Sequence, residues 1–293
     1  MNVSIGINPI TWSNDDLPGI GGDISLEICL SDTAAAGYEG IELGSKFPRD
    51  TNKLKPILER HGLVLVSGWY GGQLLKRSAK DEAAAMKGHL TLLKQMGCNV
   101  LIFAEVSACV HSDIDAGVSR RPTLIRDQAR QFAERLSELA KMTADHGVML
   151  NYHHHMGTVV QSADEIDQLM ETAVDEVQLL LDTGHALYAG ADPSAIAKKY
   201  AGRIGHVHCK DVRPAVLERS LNSDCSFLTA VLNGVFTVPG DGCVDYSSVL
   251  SIMKKMDYEG WLVVEAEQDP SVAPPAHYAK LGYENLRCLI ASL

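Results

Sequence analysis

Short runs of apolar residues alternate with longer helical patterns along the whole chain. Eight short runs indicate strands, because they are mostly continuous apolar stretches bounded by glycine or polar residues. They lie at residues 3–7, 40–44, 63–69, 99–105, 148–154, 177–182, 203–211 and 260–267. Between them, residues 81–97 and 123–147 repeat apolar side chains at helical spacing. This alternation predicts an α/β fold with a parallel sheet that is buried on both faces.

Four of the helical stretches end in a glycine shortly before the next strand. The stretches AAAG, ERHG, KQMG and ADHG place Gly37, Gly62, Gly97 and Gly147 at these ends. A glycine at that position is typical of a left-handed helix cap. We therefore expect each of these helices to stop at its glycine.

Eight strand–helix units of similar length favour a closed (β/α)8 TIM barrel, formed by residues 1–293 as one domain. A doubly wound sheet would give the same alternation, but no G-x-G-x-x-G follows the first strand. Residues 211–244 form the longest stretch without clear periodicity, and we expect a long loop there. Long loops in compact domains are usually functional.

Polar residues gather at the predicted strand ends, where the active sites of such barrels lie. Six of the eleven histidines fall between residues 153 and 208. In strand order, the polar and aromatic residues at these ends are Glu42, Trp69 and Tyr70, Glu105, His153 to His155, Asp182 and His185, His206, His208, Lys210 and Asp211, and Glu265 and Glu267.

A single Asp or His at a strand end is more often a cap or a loop hydrogen-bonding group than a ligand, and Asp182 could cap the turn that follows it. The combination changes this interpretation. Four consecutive strands deliver His, Asp, His and Glu to one rim. Mixed imidazole and carboxylate sets of this kind bind Mn²⁺, Co²⁺ or Zn²⁺. The sequence therefore predicts a divalent metal site.

The run NYHHHMGT at residues 151–158 places three histidines in a row. Alternate residues of a strand point to opposite faces. If the strand persists this far, His153 and His155 face the pocket, whereas His154 packs on the other side.

Charge and composition limit the classes of partner that the protein can bind. The 293 residues carry a formal net charge of −11, which disfavours nucleic acid and anionic membranes and suits a small polyol or ketone. The N-terminus has no basic region followed by an apolar core, and no apolar run approaches the roughly 20 residues needed to cross a bilayer. The seven cysteines include no C-x-x-C pair, which favours a reduced, cytoplasmic protein.

The motifs together resemble the inosose dehydratase family, which belongs to the xylose isomerase-like barrel superfamily. They are GIELGSKFPRD (40–50), YHHHMGT (152–158), LLDTGH (180–185), HVHCKDVR (206–213), FTVPGDG (236–242) and GWLVVEAEQDP (260–270). The resemblance implies a metal held by Asp182, His208 and Glu265. Many members of the superfamily place a Glu as the first ligand, and His153 stands at that position here.

The family resemblance implies dehydration of 2-keto-myo-inositol (scyllo-inosose) to a trihydroxycyclohexane-1,2-dione in myo-inositol catabolism, with Mn²⁺ or Co²⁺. The family resemblance alone suggests glutathione as a further cofactor, since nothing in the sequence marks a site for it. Imidazole suits proton transfer near neutral pH. The candidates for proton transfer are His153, His155, His185 and Glu265. The candidates for substrate binding are Glu42, Trp69, Lys210 and Arg213.

Three other functions stay open at this point. A metal-dependent isomerase or epimerase would share the site, and the His at position 153 is the feature against it. An endonuclease of the same superfamily would need basic loops, which the net charge disfavours. A non-enzymatic binding barrel would lack a complete ligand set. The oligomeric state is also open, a homo-oligomer included.

Overall fold

Eight parallel strands close into a barrel in the computed structural model, which describes all 293 residues. The barrel strands are β1 (Asn2–Ile7), β2 (Gly40–Leu43), β3 (Val64–Gly72), β4 (Val100–Glu105), β5 (Met149–His153), β6 (Val177–Asp182), β7 (Ile204–Cys209) and, last in the chain, β10 (Glu259–Val264). Consecutive barrel strands are neighbours, and β10 pairs with both β7 and β1 to close the ring. The predicted TIM barrel is confirmed.

Helices follow the strands and cover the outside of the barrel. They are α1 (Leu26–Ala36), α2 (Thr51–Arg60), α3 (Ala79–Gln95), α4 (Arg126–Asp145), α5 (Ala163–Thr172), α6 (Thr183–Tyr188), α7 (Pro193–Lys199), α8 (Pro214–Ser223), α9 (Phe227–Leu232), α10 (Tyr246–Lys255) and α11 (Pro275–Ala291). One continuous core of 61 buried residues lies inside the barrel and between strands and helices. No helix combines the length and the apolar character needed to cross a membrane.

The four predicted glycine caps are confirmed. Gly37, Gly62, Gly97 and Gly147 all have positive φ, between 68° and 103°. L-residues with a Cβ rarely adopt this conformation, so glycine ends these helices with little strain.

The strand bounds differ from the predicted ones where polar residues follow apolar runs. β3 continues past Trp69 to Gly72, whereas β10 stops at Val264. Glu265 and Glu267 therefore lie just beyond the last strand, and His154 and His155 lie just beyond β5. Residues at the mouth of the barrel are thus held by loops as well as by the sheet.

The expectation of a loop over residues 211–244 is wrong, because this segment is folded. It contains α8, α9 and a two-stranded antiparallel sheet of β8 (Asp211–Val212) and β9 (Phe236–Thr237). The segment has its own hydrophobic cluster, which includes Phe227 and Phe236. Its elements are short, and α8 buries only Ser220 completely, so no long apolar period marks them in the sequence.

The buried carboxylate of Asp211 holds this segment together. Its two oxygens accept hydrogen bonds from the backbone N–H groups of Val212, Gly240, Gly242 and Val244, at 2.8–3.1 Å. A buried donor that loses its partner costs about 1–3 kcal/mol.

We expect Asp211→Ala to lower the free energy of unfolding by about 3 kcal/mol, because several backbone donors lose their acceptor at once. Urea denaturation measures the change, and Asp175→Ala is the control, since the Asp175 side chain is 98% exposed. Equal stability of the two variants would show that Asp211 does not hold the segment.

Candidate active site

A cavity of about 120 Å³ opens at the C-terminal end of the barrel. Its wall combines strand ends with the loops that follow them. The lining residues are Asn8, Ile10, Asp15, Asp16, Glu42, Leu43, Gly44, Trp69, Ile102, His111, His153, His155, His208, Glu265 and Glu267. This is the end of the fold at which barrel enzymes carry their chemistry.

Four side chains converge on one point beside the cavity. One ligand atom from each of His153, Asp182, His208 and Glu265 lies within 4.8 Å of the others. Oδ2 of Asp182 lies 3.7 Å from Nε2 of His153 and 3.6 Å from Nδ1 of His208, and Nδ1 of His208 also contacts Oε2 of Glu265. The four residues predicted as metal ligands are therefore brought together.

The protein supplies no hydrogen-bond partner for several atoms of this group. Oδ2 of Asp182 is buried without a hydrogen bond, and Nδ1 of His208 and Oε2 of Glu265 are buried and contact each other but make no hydrogen bond to any other group. Buried polar atoms are costly unless they are paired. Two imidazole nitrogens and two carboxylate oxygens are a donor set that suits a divalent transition metal, so the residues fit a metal ion.

Hydrogen bonds orient both histidine rings toward the same point. Nδ1 of His153 lies 2.7 Å from the carbonyl oxygen of His154, which can only accept, so Nδ1 carries the proton and Nε2 is free. Nε2 of His208 lies 3.2 Å from a carboxylate oxygen of Glu42, which can only accept, and Nδ1 of the same ring faces the carboxylates of Asp182 and Glu265. Partners of this kind fix ring orientation in metal sites.

The ionisation states of His153 and Asp182 suit metal ligands, whereas His208 carries an extra proton. Burial lowers the pKa of His208, but the carboxylates of Glu265 and Glu42 more than offset this and raise it well above its ordinary value, so this ring would release a proton when a metal binds. Burial, together with the charge of His208, lowers the pKa of His153 well below its ordinary value, so its imidazole is neutral. Burial raises the pKa of Asp182, but Lys210 and His208 more than offset this, and the pKa is lowered overall. Metals bind neutral imidazole and ionised carboxylate, so neither His153 nor Asp182 has to lose a proton to act as a ligand.

Glu42 lies beneath the four ligands, and its oxygens are engaged by protein donors. Oε1 accepts from His206 at 2.8 Å and from His208, and also from Ser67, whereas Oε2 accepts from Asn8 at 2.7 Å. Glu42 lines the cavity, but this arrangement differs from the expected substrate contact. Its geometry is that of a carboxylate that orients His208.

We expect Glu42→Gln to weaken metal binding about 10- to 100-fold, as is typical when a ligand loses its orienting partner. Competition with a chelator measures the affinity. The control is Glu39→Gln, because Glu39 accepts from Ser4 and the backbone N–H of Ile5 near the opposite end of the barrel. Unchanged affinity in Glu42→Gln would contradict the orienting role.

Lys210 does not reach the cavity wall, in contrast to the sequence-based expectation. It is fully buried, and its Nζ lies 2.6 Å from Glu267, 2.9 Å from Glu265 and 3.0 Å from Nε2 of His185. These carboxylates raise the pKa of Lys210 despite its burial, so it stays charged. Lys210 compensates part of the negative charge behind the site instead of holding a substrate hydroxyl.

Arg213 also differs from its expected role. Its guanidinium donates to the carbonyl oxygens of Gly234 and Phe236 at 2.9 and 3.0 Å, and it pairs with Asp241 at 3.0 Å. It is not part of the cavity wall. The Arg213 side chain therefore stabilises the folded segment over residues 211–244, because its N–H donors bind to groups within that segment.

The three consecutive histidines divide between two faces. His153 and His155 line the cavity, whereas His154 does not, and Nε2 of His154 accepts from the backbone N–H of Asp182 at 3.3 Å. Trp69 packs edge-on against the rings of His153 and His155, with centroids 5.3 and 5.7 Å apart, and forms part of the wall.

His155 presents a free ring nitrogen outside the ligand group. Its Nδ1 lies 2.8 Å from the carbonyl oxygen of Met156, so Nδ1 carries the proton and Nε2 has a free lone pair. His185 lies behind it, with ring centroids 3.9 Å apart, and Lys210 donates to its Nε2. The structure therefore places His155 on the cavity wall and His185 outside it.

Several wall residues have no counterpart among the candidates from the sequence. They are Asn8, Asp15, Asp16 and His111, whereas the sequence marks Glu267 only as a polar residue at a strand end. Asn8 directly follows β1, so the strand-end rule applied to the first strand would have found it. Asp16 and His111 lie on loops after β1 and β4, where no periodicity marks them.

Known proteins resemble this chain along most of its length. The family model described as xylose isomerase-like TIM barrel matches residues 30–288. The chain is 48% identical to the rhizopine catabolism protein MocC of Rhizobium meliloti, over 100% of this chain and 90% of that protein. It is 41% identical to the inosose dehydratase of Geobacillus thermodenitrificans (strain NG80-2), over 97% of this chain and 96% of that protein.

A solved structure shows the same fold at low sequence identity. The IOLI protein, with a zinc atom bound, superimposes with a TM-score of 0.72 at 16% identity, over 99% of each chain. That structure shows that a barrel of this fold holds a metal ion in another protein.

Proposed function

The chain belongs to the inosose dehydratase family of xylose isomerase-like TIM barrels, and we propose that it is the lyase that removes water from 2-keto-myo-inositol. The product is a trihydroxycyclohexane-1,2-dione, formed in myo-inositol catabolism. One structural observation supports the proposal in addition to the family membership. Four metal donors converge beside the cavity, and the free Nε2 of His155 faces the same cavity.

His153, Asp182, His208 and Glu265 would hold the cation, which we propose to be Mn²⁺ or Co²⁺. Both ions accept mixed nitrogen and oxygen ligands. A divalent cation bound there would supply Lewis acidity toward the ketone oxygen of the substrate. Such a cation would make the neighbouring C–H bond more acidic, as the first proton transfer requires.

His155 moves the proton in this proposal. Its Nε2 takes the hydrogen from the carbon next to the ketone, and the electron pair forms a C=C bond as the C–O bond to the β-hydroxyl breaks. The imidazolium returns the proton to the departing hydroxyl, which leaves as water. The remaining enol becomes the second ketone, so that atoms and charge balance. General acid–base catalysis of this kind contributes about 10²- to 10⁴-fold to a rate.

The surrounding residues orient these groups. Glu42 holds His208 through its ring N–H, and the carbonyl oxygen of Met156 holds His155 with its lone pair toward the cavity. Trp69 packs edge-on against His153 and His155, two of the four histidines that line the cavity.

The test is NMR of the product formed from 2-keto-myo-inositol by the Mn²⁺-loaded protein. We expect a vicinal dione with a new CH₂ group. A ring isomer or epimer that keeps all its oxygens would support the isomerase alternative instead. Parallel reactions with and without glutathione show whether it is needed. A ketone derived from rhizopine is the second substrate to assay, since the relative with 48% identity is named for rhizopine catabolism.

A further inference from the structure

Two loops meet over the cavity through Asp16 and His111. Asp16 lies on the loop between β1 and α1, and His111 lies on the loop between β4 and α4. Oδ1 of Asp16 is 3.6 Å from Nε2 of His111, and both side chains line the cavity. The ring of His111 in turn packs on His155, with centroids 5.0 Å apart. This pair therefore forms the loop side of the wall, whereas the metal donors come from strand ends.

Five carboxylates line the cavity, and protein donors engage four of them. Asp15 accepts from Ser45, Glu42 accepts from three side chains besides His208, and Glu265 and Glu267 both pair with Lys210. The remaining carboxylate, that of Asp16, accepts no hydrogen bond within 3.5 Å, and its side chain is 33% exposed. It is an acceptor at the cavity wall, and the protein offers it only the longer contact with Nε2 of His111, at 3.6 Å.

The wall also contains no side chain with a permanent positive charge. Its fifteen residues include neither lysine nor arginine. At the loop side of the wall, where Asp15 and Asp16 lie, a phosphate ester would meet carboxylates with no lysine or arginine beside them, which is costly in a partly desolvated site. Hydroxyl groups, in contrast, are donors, and a carboxylate can accept from two of them at once.

We propose that Asp16, together with His111, forms a subsite that binds two neighbouring hydroxyl groups of the substrate ring. This subsite selects neutral ring polyols with a free vicinal diol and rejects their phosphate esters. The identity of the ring rests on the proposed function. The role proposed for Asp16 is substrate binding and not proton transfer.

The first experiment compares Asp16→Ala with the control Asp23→Ala, which removes an exposed carboxylate from the same loop. With Mn²⁺-loaded protein and 2-keto-myo-inositol, we expect Asp16→Ala to raise KM about 10- to 100-fold, the usual effect of losing a hydrogen bond to a charged group, with kcat within about 3-fold. The control should leave both constants unchanged. An unchanged KM in Asp16→Ala, or an equal loss in the control, would overturn the subsite.

The second experiment needs no turnover and uses calorimetric binding of myo-inositol and of myo-inositol 1-phosphate. Wild type should bind myo-inositol at least 10-fold more tightly than the phosphate ester, and Asp16→Ala should reduce that preference. Equal binding of the two compounds, or no binding of myo-inositol, would refute the inference. If 2-keto-myo-inositol is not dehydrated but the Asp16-dependent preference is found, the proposed reaction fails and the subsite stands.

Discussion

Replacing Asp182 with Asn should abolish turnover and weaken Mn²⁺ binding more than about 100-fold, beyond the 10- to 100-fold that loss of a ligand's orienting partner costs. The two oxygens of Asp182 have different tasks. Oδ1 accepts from the backbone N–H of His185 at 2.7 Å and caps α6, whereas Oδ2 points into the ligand group without a hydrogen bond. Asn keeps an acceptor for the cap but removes the charge that the metal needs. The variant should therefore fold and fail to bind metal.

Elemental analysis after dialysis and chelator competition measure this loss. Asp192→Asn is the matched control, because Asp192 caps α7 through the backbone N–H of Ser194 and lies outside the cavity wall. The control should keep both metal and activity. Stoichiometric Mn²⁺ retained in Asp182→Asn would refute the assignment of Asp182 as a ligand.

Replacing His155 with Ala should lower kcat about 10²- to 10⁴-fold while the protein keeps its metal. The ring lies on the cavity wall with a free Nε2, and it is not one of the four converging ligands. Added Mn²⁺ should therefore restore nothing. Exchange of the hydrogen next to the ketone with solvent deuterium should slow in step with turnover, because the same nitrogen takes that hydrogen.

The neighbouring histidines serve as comparisons for this result. His153→Ala should lose metal affinity together with rate, and excess Mn²⁺ should restore part of the activity. His154→Ala should lower stability more than turnover, since His154 is buried away from the cavity. His146→Ala, on an exposed helix end, should change nothing. An inactive but folded His154→Ala beside a near wild-type His155→Ala would contradict the account.

The barrel could be predicted from the sequence because its cause is local and repeated. Most of the strands are nearly continuous apolar runs, and glycines such as Gly37 and Gly147 adopt the positive φ that ends a helix because they lack a Cβ. The segment over residues 211–244 escaped prediction because its helices are short. Their burial depends on contacts such as the one between Phe227 and Phe236, which a periodic pattern does not express.

The metal donors could be predicted from the strand-end rule, since the carboxyl ends of parallel barrel strands meet at one rim. The rule gives the position of a residue but not the direction of its side chain. Lys210 and Arg213 follow β7 at the expected place, yet their charges are used behind the cavity and in the folded segment. Asp16 and His111 come from loops whose meeting over the cavity depends on the complete fold.

The most direct test of the central claim is a titration of metal-stripped protein with Mn²⁺ while formation of the vicinal dione from 2-keto-myo-inositol is followed. A single site made by His153, Asp182, His208 and Glu265 predicts no turnover without metal and a rate that rises in proportion to added Mn²⁺ until one ion is bound per chain. Full dehydration by protein that elemental analysis shows to be free of metal, with chelator present, would contradict the account.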